Sequence, residues 1–236
     1  MEGQTLDIKM NVIIEMVGDT LILQPGDGDY KYCLVWLHGL DYYPQRFLNF
    51  FLTQQLIGLL KDFKIVIPQA PIRKCTIAQK QTCSWYDIYL RDFSKPFDEQ
   101  FSREEVEESK KTIISILEKE RELLGGDWSK IFLAGFSQGC AMTYHVAFSL
   151  KKKLGGIIGY AGYLFDITED APEDLKILVI HGAADTLRPW EECKKTYKRL
   201  EEKKNVKFEL VPEMGHDYYS AKSREIFYDY IRKWCS

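Results

Sequence analysis

The chain has 236 residues, 45% of them hydrophobic and 28% charged, enough to bury a sizeable core in one domain spanning residues 1–236. A net charge of −3, with no basic stripe, excludes the electrostatic footprint of a nucleic-acid partner. Six cysteines, at 33, 75, 83, 140, 193 and 235, show no Cys-x-x-Cys spacing, so neither a metal site nor a redox pair is expected.

In chain order, the N-terminus carries Glu2, Asp7 and Glu15 and lacks the long apolar run of a secretory signal. Apolar and β-branched residues then predict strands over Val12 to Met16 and Leu21 to Leu23, joined by Gly18-Asp19 as an antiparallel opening. A strand over Tyr32 to Leu37 follows. A helix rich in Phe and Leu is expected over Pro44 to Leu60, with Pro at its first position. After a strand over Lys64 to Ile67, the stretch Ser102 to Leu124 opens on a Ser102-x-x-Glu105 capping box and ends at Gly125-Gly126. Its apolar positions Val106, Ile113, Leu117 and Leu124 recur at helical spacing, so it reads as an amphipathic cover helix. Strands over Lys130 to Ala134, Gly156 to Ala161, Lys176 to Ile180 and Val206 to Val211 alternate with helices over Gln138 to Leu150, Pro189 to Glu202 and Ser220 to Trp234. Lys151 to Lys153 is read as a solvated helix end. Near-continuous apolar strands alternating with helices predict an α/β fold, a mostly parallel sheet with helices on both faces. No apolar run is long enough to span a membrane, residue 2 is Glu rather than Gly, and Cys235 stands next to last. Any membrane contact is therefore expected to be peripheral, and reduced thiols make a cytoplasmic location the default.

The segment Lys130 to Met142 reads as strand, tight turn and helix, and it contains Gly135-x-Ser137-x-Gly139. That is a nucleophile elbow: glycines flank the serine because neighbouring backbone comes too close for side chains, and the serine is lifted to a helix N-terminus. Three positions alone are a weak signal, but the strand before and the helix after make it specific.

A serine of this kind needs a base and an acid in the chain order Ser, Asp or Glu, His. His38 precedes Ser137, His145 lies in the helix directly after it, and His181 ends a strand. His216 sits in the loop Met214-Gly215-His216-Asp217, after the last strand, and is the expected base. Asp185 follows an apolar strand and a small-residue turn, which puts it above the C-terminal edge of the sheet; Asp166 is the alternative acid. Oxyanion donors are expected from the backbone N–H of Gln138 and, in the loop after the Cys33 to Leu37 strand, of Leu40. His38 is read as a brace of that loop.

These residues resemble those of the acyl-protein thioesterase, lysophospholipase and carboxylesterase family of α/β-hydrolases. The likeness runs from about Tyr32 to the C-terminus. It shows in Leu37-His38-Gly39-Leu40, Pro68-Gln69-Ala70-Pro71, Ser84-Trp85-Tyr86-Asp87-Ile88, Gly135-Phe136-Ser137-Gln138-Gly139, His181-Gly182-Ala183-Ala184-Asp185 and Gly215-His216. The resemblance implies an α/β-hydrolase without a large lid domain, the triad Ser137, Asp185 and His216, and oxyanion donors at Leu40 and Gln138. It also implies no cofactor or metal, S-acylated proteins or lysophospholipid and ester substrates, and a monomer or weak homodimer. Protein depalmitoylation leads among the implied roles, with lysophospholipid and ester hydrolysis behind it. A peptidase on this fold carries an added cap or propeller, for which the chain has no room, and an inactive binding protein is the non-enzyme alternative. By the same resemblance, Ile72 to Cys83 is the covering loop near the acyl channel, and Trp85 and Tyr86 are either channel wall or core. Three residues depart from the family pattern: Asp41 where a Gly is usual, Cys140 where a Gly follows Gly139, and Arg188 where a small apolar residue stands in the segment after the acid. Arg188 is thus a candidate for altering the acyl pocket.

Overall fold

The computed structural model describes residues 12–54, 56–95 and 99–235, in which eight strands pair into one sheet, the inner ones through buried apolar side chains and β1 as a largely exposed edge. They are β1 (Val12–Val17), β2 (Thr20–Pro25), β3 (Tyr32–Leu37), β4 (Phe63–Ile67), β7 (Ile131–Phe136), β8 (Gly156–Tyr160), β9 (Ile177–Gly182) and β10 (Val206–Val211). Two more, β5 (Ile72–Cys75) and β6 (Lys80–Cys83), form a separate antiparallel hairpin. The sheet order is β1-β2-β4-β3-β7-β8-β9-β10. The β1–β2 and β2–β4 pairs are antiparallel and every other pair is parallel. This is the α/β-hydrolase sheet.

Both faces are covered because the central strands are apolar on both. Along β3, Cys33, Val35 and Leu37 face one core, while Leu34 and Trp36 face the other. The first core is closed by α2 (Arg103–Leu123), α3 (Gln138–Leu150) and α4 (Trp190–Thr196). The second is closed by α5 (Ala221–Cys235), through Phe227 and Ile231, and by the segment after β3.

That segment departs from the continuous helix expected over 44–60. It is a 3₁₀ turn (Pro44–Phe47), a single turn α1 (Leu48–Phe51) and a second 3₁₀ stretch (Ile57–Lys61). The Thr53 hydroxyl donates to the Phe50 carbonyl at 3.0 Å and competes with helix propagation. Phe47, Phe50 and Phe51, at i, i+3 and i+4, share one face and turn toward Trp36 with ring centroids 5.1–5.5 Å away, so the two short turns keep the apolar stripe although the helix does not continue past Phe51. The helix expected over Pro189 to Glu202 likewise ends at Thr196 and continues as a 3₁₀ turn (Lys198–Leu200). At α2 only half of the capping box forms. Ser102 Oγ accepts from the Glu105 N–H at 3.3 Å, but the Glu105 carboxylate accepts from the N–H of Asp87 instead.

One polar contact in the first core escaped the helical pattern. Glu120 of α2 is 3% exposed and bridges Lys64 of β4 at 2.8 Å, and the Cys33 thiol points at the same carboxylate. Burial alone lowers the Lys64 pKa, but the Glu120 carboxylate outweighs it and holds the ammonium above its ordinary value. Removing one partner strands a buried charge, which costs about 3–5 kcal/mol. Glu120→Ala is therefore expected to lower the unfolding free energy by that amount, and Lys64→Met combined with Glu120→Leu to recover most of it, measured by equilibrium unfolding in urea.

Candidate active site

The close approach of α3 to β3 and β7 dictates the turn between β7 and α3. A Cβ on Gly135 would fall on the Gly139 carbonyl and within 2.7 Å of Thr143 Oγ1; one on Gly139 would fall on the Leu37 carbonyl and within 2.6 Å of His38 O. Between these glycines Ser137 sits at φ 54° and ψ −113°, a conformation that an L-residue adopts only under constraint. Its N–H is tied to Tyr160 O of β8 at 2.8 Å, and its hydroxyl stands at the head of α3. Cys140, one residue past the elbow, is buried in the contact of α3 with β8, where a Cβ on Gly159 or Gly162 would strike its side chain.

The structure brings together Ser137, His216 and Asp185. His216 Nε2 lies 2.9 Å from Ser137 Oγ, and His216 Nδ1 lies 2.7 Å from Asp185 Oδ2. A carboxylate only accepts, so Nδ1 carries the hydrogen and Nε2 is free to accept from the serine hydroxyl. Asp185 Oδ1 accepts the N–H groups of Leu187 at 2.9 Å and Arg188 at 2.7 Å. Burial raises the Asp185 pKa, yet His216 and these donors outweigh it and hold the carboxyl below its usual range. Phe136 packs on the His216 ring at 5.0 Å. Asp166, the alternative acid, is exposed and outside this cluster.

The other histidines brace loops. His38 Nε2 accepts from the Ala70 N–H at 2.9 Å, so its Nδ1–H donates to Gly39 O at 2.7 Å. His181 Nε2 reaches Arg188 O at 2.7 Å and closes the loop beyond Asp185. His145 lies between Glu107 and Thr168.

Leu40 and Gln138 line the same cleft as Ser137, and neither backbone N–H has an intramolecular acceptor among the described residues. Asp41, beside Leu40, adopts φ 63°, the left-handed region where Gly is favoured and Asp is tolerated. Its N–H bonds Cys83 O at 2.9 Å, and its carboxylate takes Lys80 at 2.6 Å and the Thr82 hydroxyl. The β5–β6 hairpin thus buttresses the loop of Leu40 and contributes no wall to the cleft, which corrects the covering-loop expectation for 72–83. Ile88 and Arg91, farther along, supply that wall.

Trp85 and Tyr86 are buried and absent from the cleft lining. Their role is to clamp Gln138. Its Oε1 accepts the Trp85 N–H at 2.8 Å, its Nε2 donates to Tyr86 O at 2.7 Å, and Trp85 Nε1 donates to His38 O at 2.9 Å. Nothing local in the sequence pairs residue 138 with residues 85 and 86. Arg188 does line the cleft, 5% exposed, with its guanidinium 4.9 Å from the Tyr163 ring centroid. The cleft is small, about 140 Å³. No group of three or more His, Cys, Asp or Glu among the described residues is placed to hold a metal ion.

A serine lifted from a parallel sheet and joined through an imidazole to a buried carboxylate defines the class: a serine hydrolase of the α/β-hydrolase fold acting on esters and thioesters. Within that class the chain belongs to the phospholipase/carboxylesterase family, whose profile matches residues 20–235. It is similar to acyl-protein thioesterase 1 homolog 1 of Dictyostelium discoideum, 30% identical over 177 residues that cover 72% of this chain and 76% of that protein. Carboxylesterase SOBER1 of Arabidopsis thaliana is 28% identical over 212 residues, covering 85% of this chain and 88% of that one. The crystal structure of SOBER1 superposes with a TM-score of 0.74 at 22% identity, over 87% of this chain and 99% of that chain. That of Zea mays acyl-protein thioesterase 2 gives 0.70 at 19% identity, over 93% and 100% of the two chains.

Two outcomes follow from this geometry. Ser137→Gly relieves the backbone strain and is expected to raise stability by about 1 kcal/mol while abolishing the nucleophile, read from urea unfolding and active-site labelling. Burial pushes the His38 pKa from 6.5 down to about 4. Between these values the unfolded chain binds a proton at position 38 that the folded chain refuses, so stability rises with pH through the window. Wild type should lose stability as pH falls from 6.5 to 4, and His38→Gln should show a shallower slope, measured by denaturation at several pH values.

Proposed function

We propose that the chain hydrolyses acyl thioesters and carboxylic esters by two-step transfer through Ser137, with S-acylated proteins as the leading substrate class. The unbroken relay from Ser137 Oγ through His216 to Asp185, at 2.9 and 2.7 Å, carries this reading. In the first step Ser137 Oγ bonds to the substrate carbonyl carbon and its proton passes to His216 Nε2. The N–H groups of Leu40 and Gln138 receive the oxyanion. The carbon–sulfur or carbon–oxygen bond then breaks, and His216 returns the proton to the departing thiol or alcohol. Water repeats the sequence on the acyl-enzyme, giving its proton to His216 and releasing the acid and free Ser137. Asp185 holds the imidazole in the required tautomer and stabilises its charged form.

The names of the thioesterase relatives support protein thioesters over simple esters as the leading substrates. A fluorophosphonate probe is expected to label wild type and leave Ser137→Ala unlabelled; a folded wild type that resists labelling would mean a binding protein instead. Asp185→Asn is expected to lower kcat by about 10⁴-fold with little change in KM on a thioester substrate, because the wrong tautomer faces the serine.

A further inference from the structure

The cleft at Ser137 contains two positive charges that the proposed chemistry does not use. Arg188 is 5% exposed, and its backbone is pinned on both sides: the N–H donates to Asp185 Oδ1 at 2.7 Å and the carbonyl accepts from His181 Nε2 at 2.7 Å. Its guanidinium rests on the ring of Tyr163, whose hydroxyl is bonded to that of Tyr86 at 2.9 Å. No carboxylate among the described residues pairs with it; the nearby Asp185 is committed to His216 and to two backbone N–H groups. Arg91, partly buried, enters the same cleft from the segment before α2, and its Nε is enclosed without a hydrogen-bond partner among the described residues. Burial and the neighbouring Arg188 push its pKa below the ordinary guanidinium value. Elsewhere in this fold the buried lysine, Lys64, has its carboxylate.

An unpaired buried charge is expensive, and two like charges in one cleft add to the cost. An anion between them removes both penalties, and paired guanidinium groups suit the two oxygens of a carboxylate. We propose that the cleft at Ser137 takes an ester or thioester whose acyl half is short and ends in a carboxylate, held by Arg188 and Arg91. The proposal rests on Ser137 being the nucleophile. About 140 Å³ lies well below the ~300–1,000 Å³ of pockets for drug-sized ligands, so the enclosed space receives the acyl half alone while a protein leaving group stays in solvent. Ile88 and Leu187 flank the few methylenes between carbonyl and carboxylate. The end of a long saturated chain would cover both arginines and satisfy neither.

The test compares glutaryl and pentanoyl thioesters of N-acetylcysteamine, read by thiol release, with the Ser137→Ala rate subtracted. Wild type is expected to favour the glutaryl substrate by about 10- to 100-fold in kcat/KM. Arg188→Leu should bring that ratio close to one, and Arg188→Lys should restore part of it. If Arg188→Leu does not fold, Arg91→Leu gives the same reading of the ratio. Equal or inverted preference in wild type, a ratio untouched by either substitution, or faster turnover of a palmitoyl thioester overturns the proposal. A preference for an acetyl ester of a phosphate-bearing alcohol that vanishes in Arg188→Leu also overturns it, by placing the anion on the leaving group. Fluorophosphonate labelling separates the two failures: unlabelled wild type sinks the hydrolase reading, whereas labelled enzyme without acyl preference sinks only this one.

Discussion

The turn between β7 and α3 is a place where three backbones meet with no room for side chains. Gly135 lies against the Gly139 carbonyl, and Gly139 against the carbonyls of Leu37 and His38, so α3 is seated directly on the ends of two strands. That contact forces Ser137 to positive φ and presents its hydroxyl above the sheet rather than into the core. The position of the cleft follows from it. Gln138 begins the helix with a free N–H, the loop after β3 passes close enough to offer that of Leu40, and His216 arrives from beyond β10 onto the serine. Strain held by packing on both sides is the usual condition of a reactive residue, because the surrounding core overdetermines it.

The charged groups in the interior divide by whether they are satisfied. Asp185 has the His216 ring and two backbone donors, and Glu120 has Lys64; both carboxylates are fully used by the fold. Arg188, buried, and Arg91, partly buried, have an aromatic face and apolar walls, and among the described residues no carboxylate is paired with either. Buried polar groups are nearly always paired, so the satisfied pairs are explained by stability, and the unpaired guanidinium in the cleft is what the proposed acyl carboxylate would satisfy. The contrast separates what holds the sheet to α2 from what lines the cleft at Ser137.

The departures from the family pattern have physical accounts. At 41 the backbone keeps the left-handed turn that favours Gly, and an Asp is accommodated because Lys80, Thr82 and Cys83 of the hairpin hold its carboxylate and N–H. At 140 the thiol fills the space left by Gly159 on β8 and Gly162 just after it, and burial raises its pKa to about 12, so it is inert packing rather than a second nucleophile. Arg188 brings a guanidinium into the cleft while its backbone still serves Asp185.

The sequence by itself determined the elements whose signals are local. Apolar runs marked the eight sheet strands, Gly135-x-Ser137-x-Gly139 marked the elbow, and chain order pointed to Asp185 and His216, which the fold brings within hydrogen-bond reach of Ser137. Only the tertiary structure decided the rest. The segment 44–60 stops being helical after Phe51, where the Thr53 hydroxyl takes the Phe50 carbonyl, and the hairpin of 72–83 escaped notice because short polar strands have no apolar period. The clamp of Trp85 and Tyr86 on Gln138, the Lys64–Glu120 pair and the meeting of Arg91 with Arg188 join residues far apart in the chain. Periodicity reports which face of an element is apolar; it carries no record of which polar groups meet once those faces are buried.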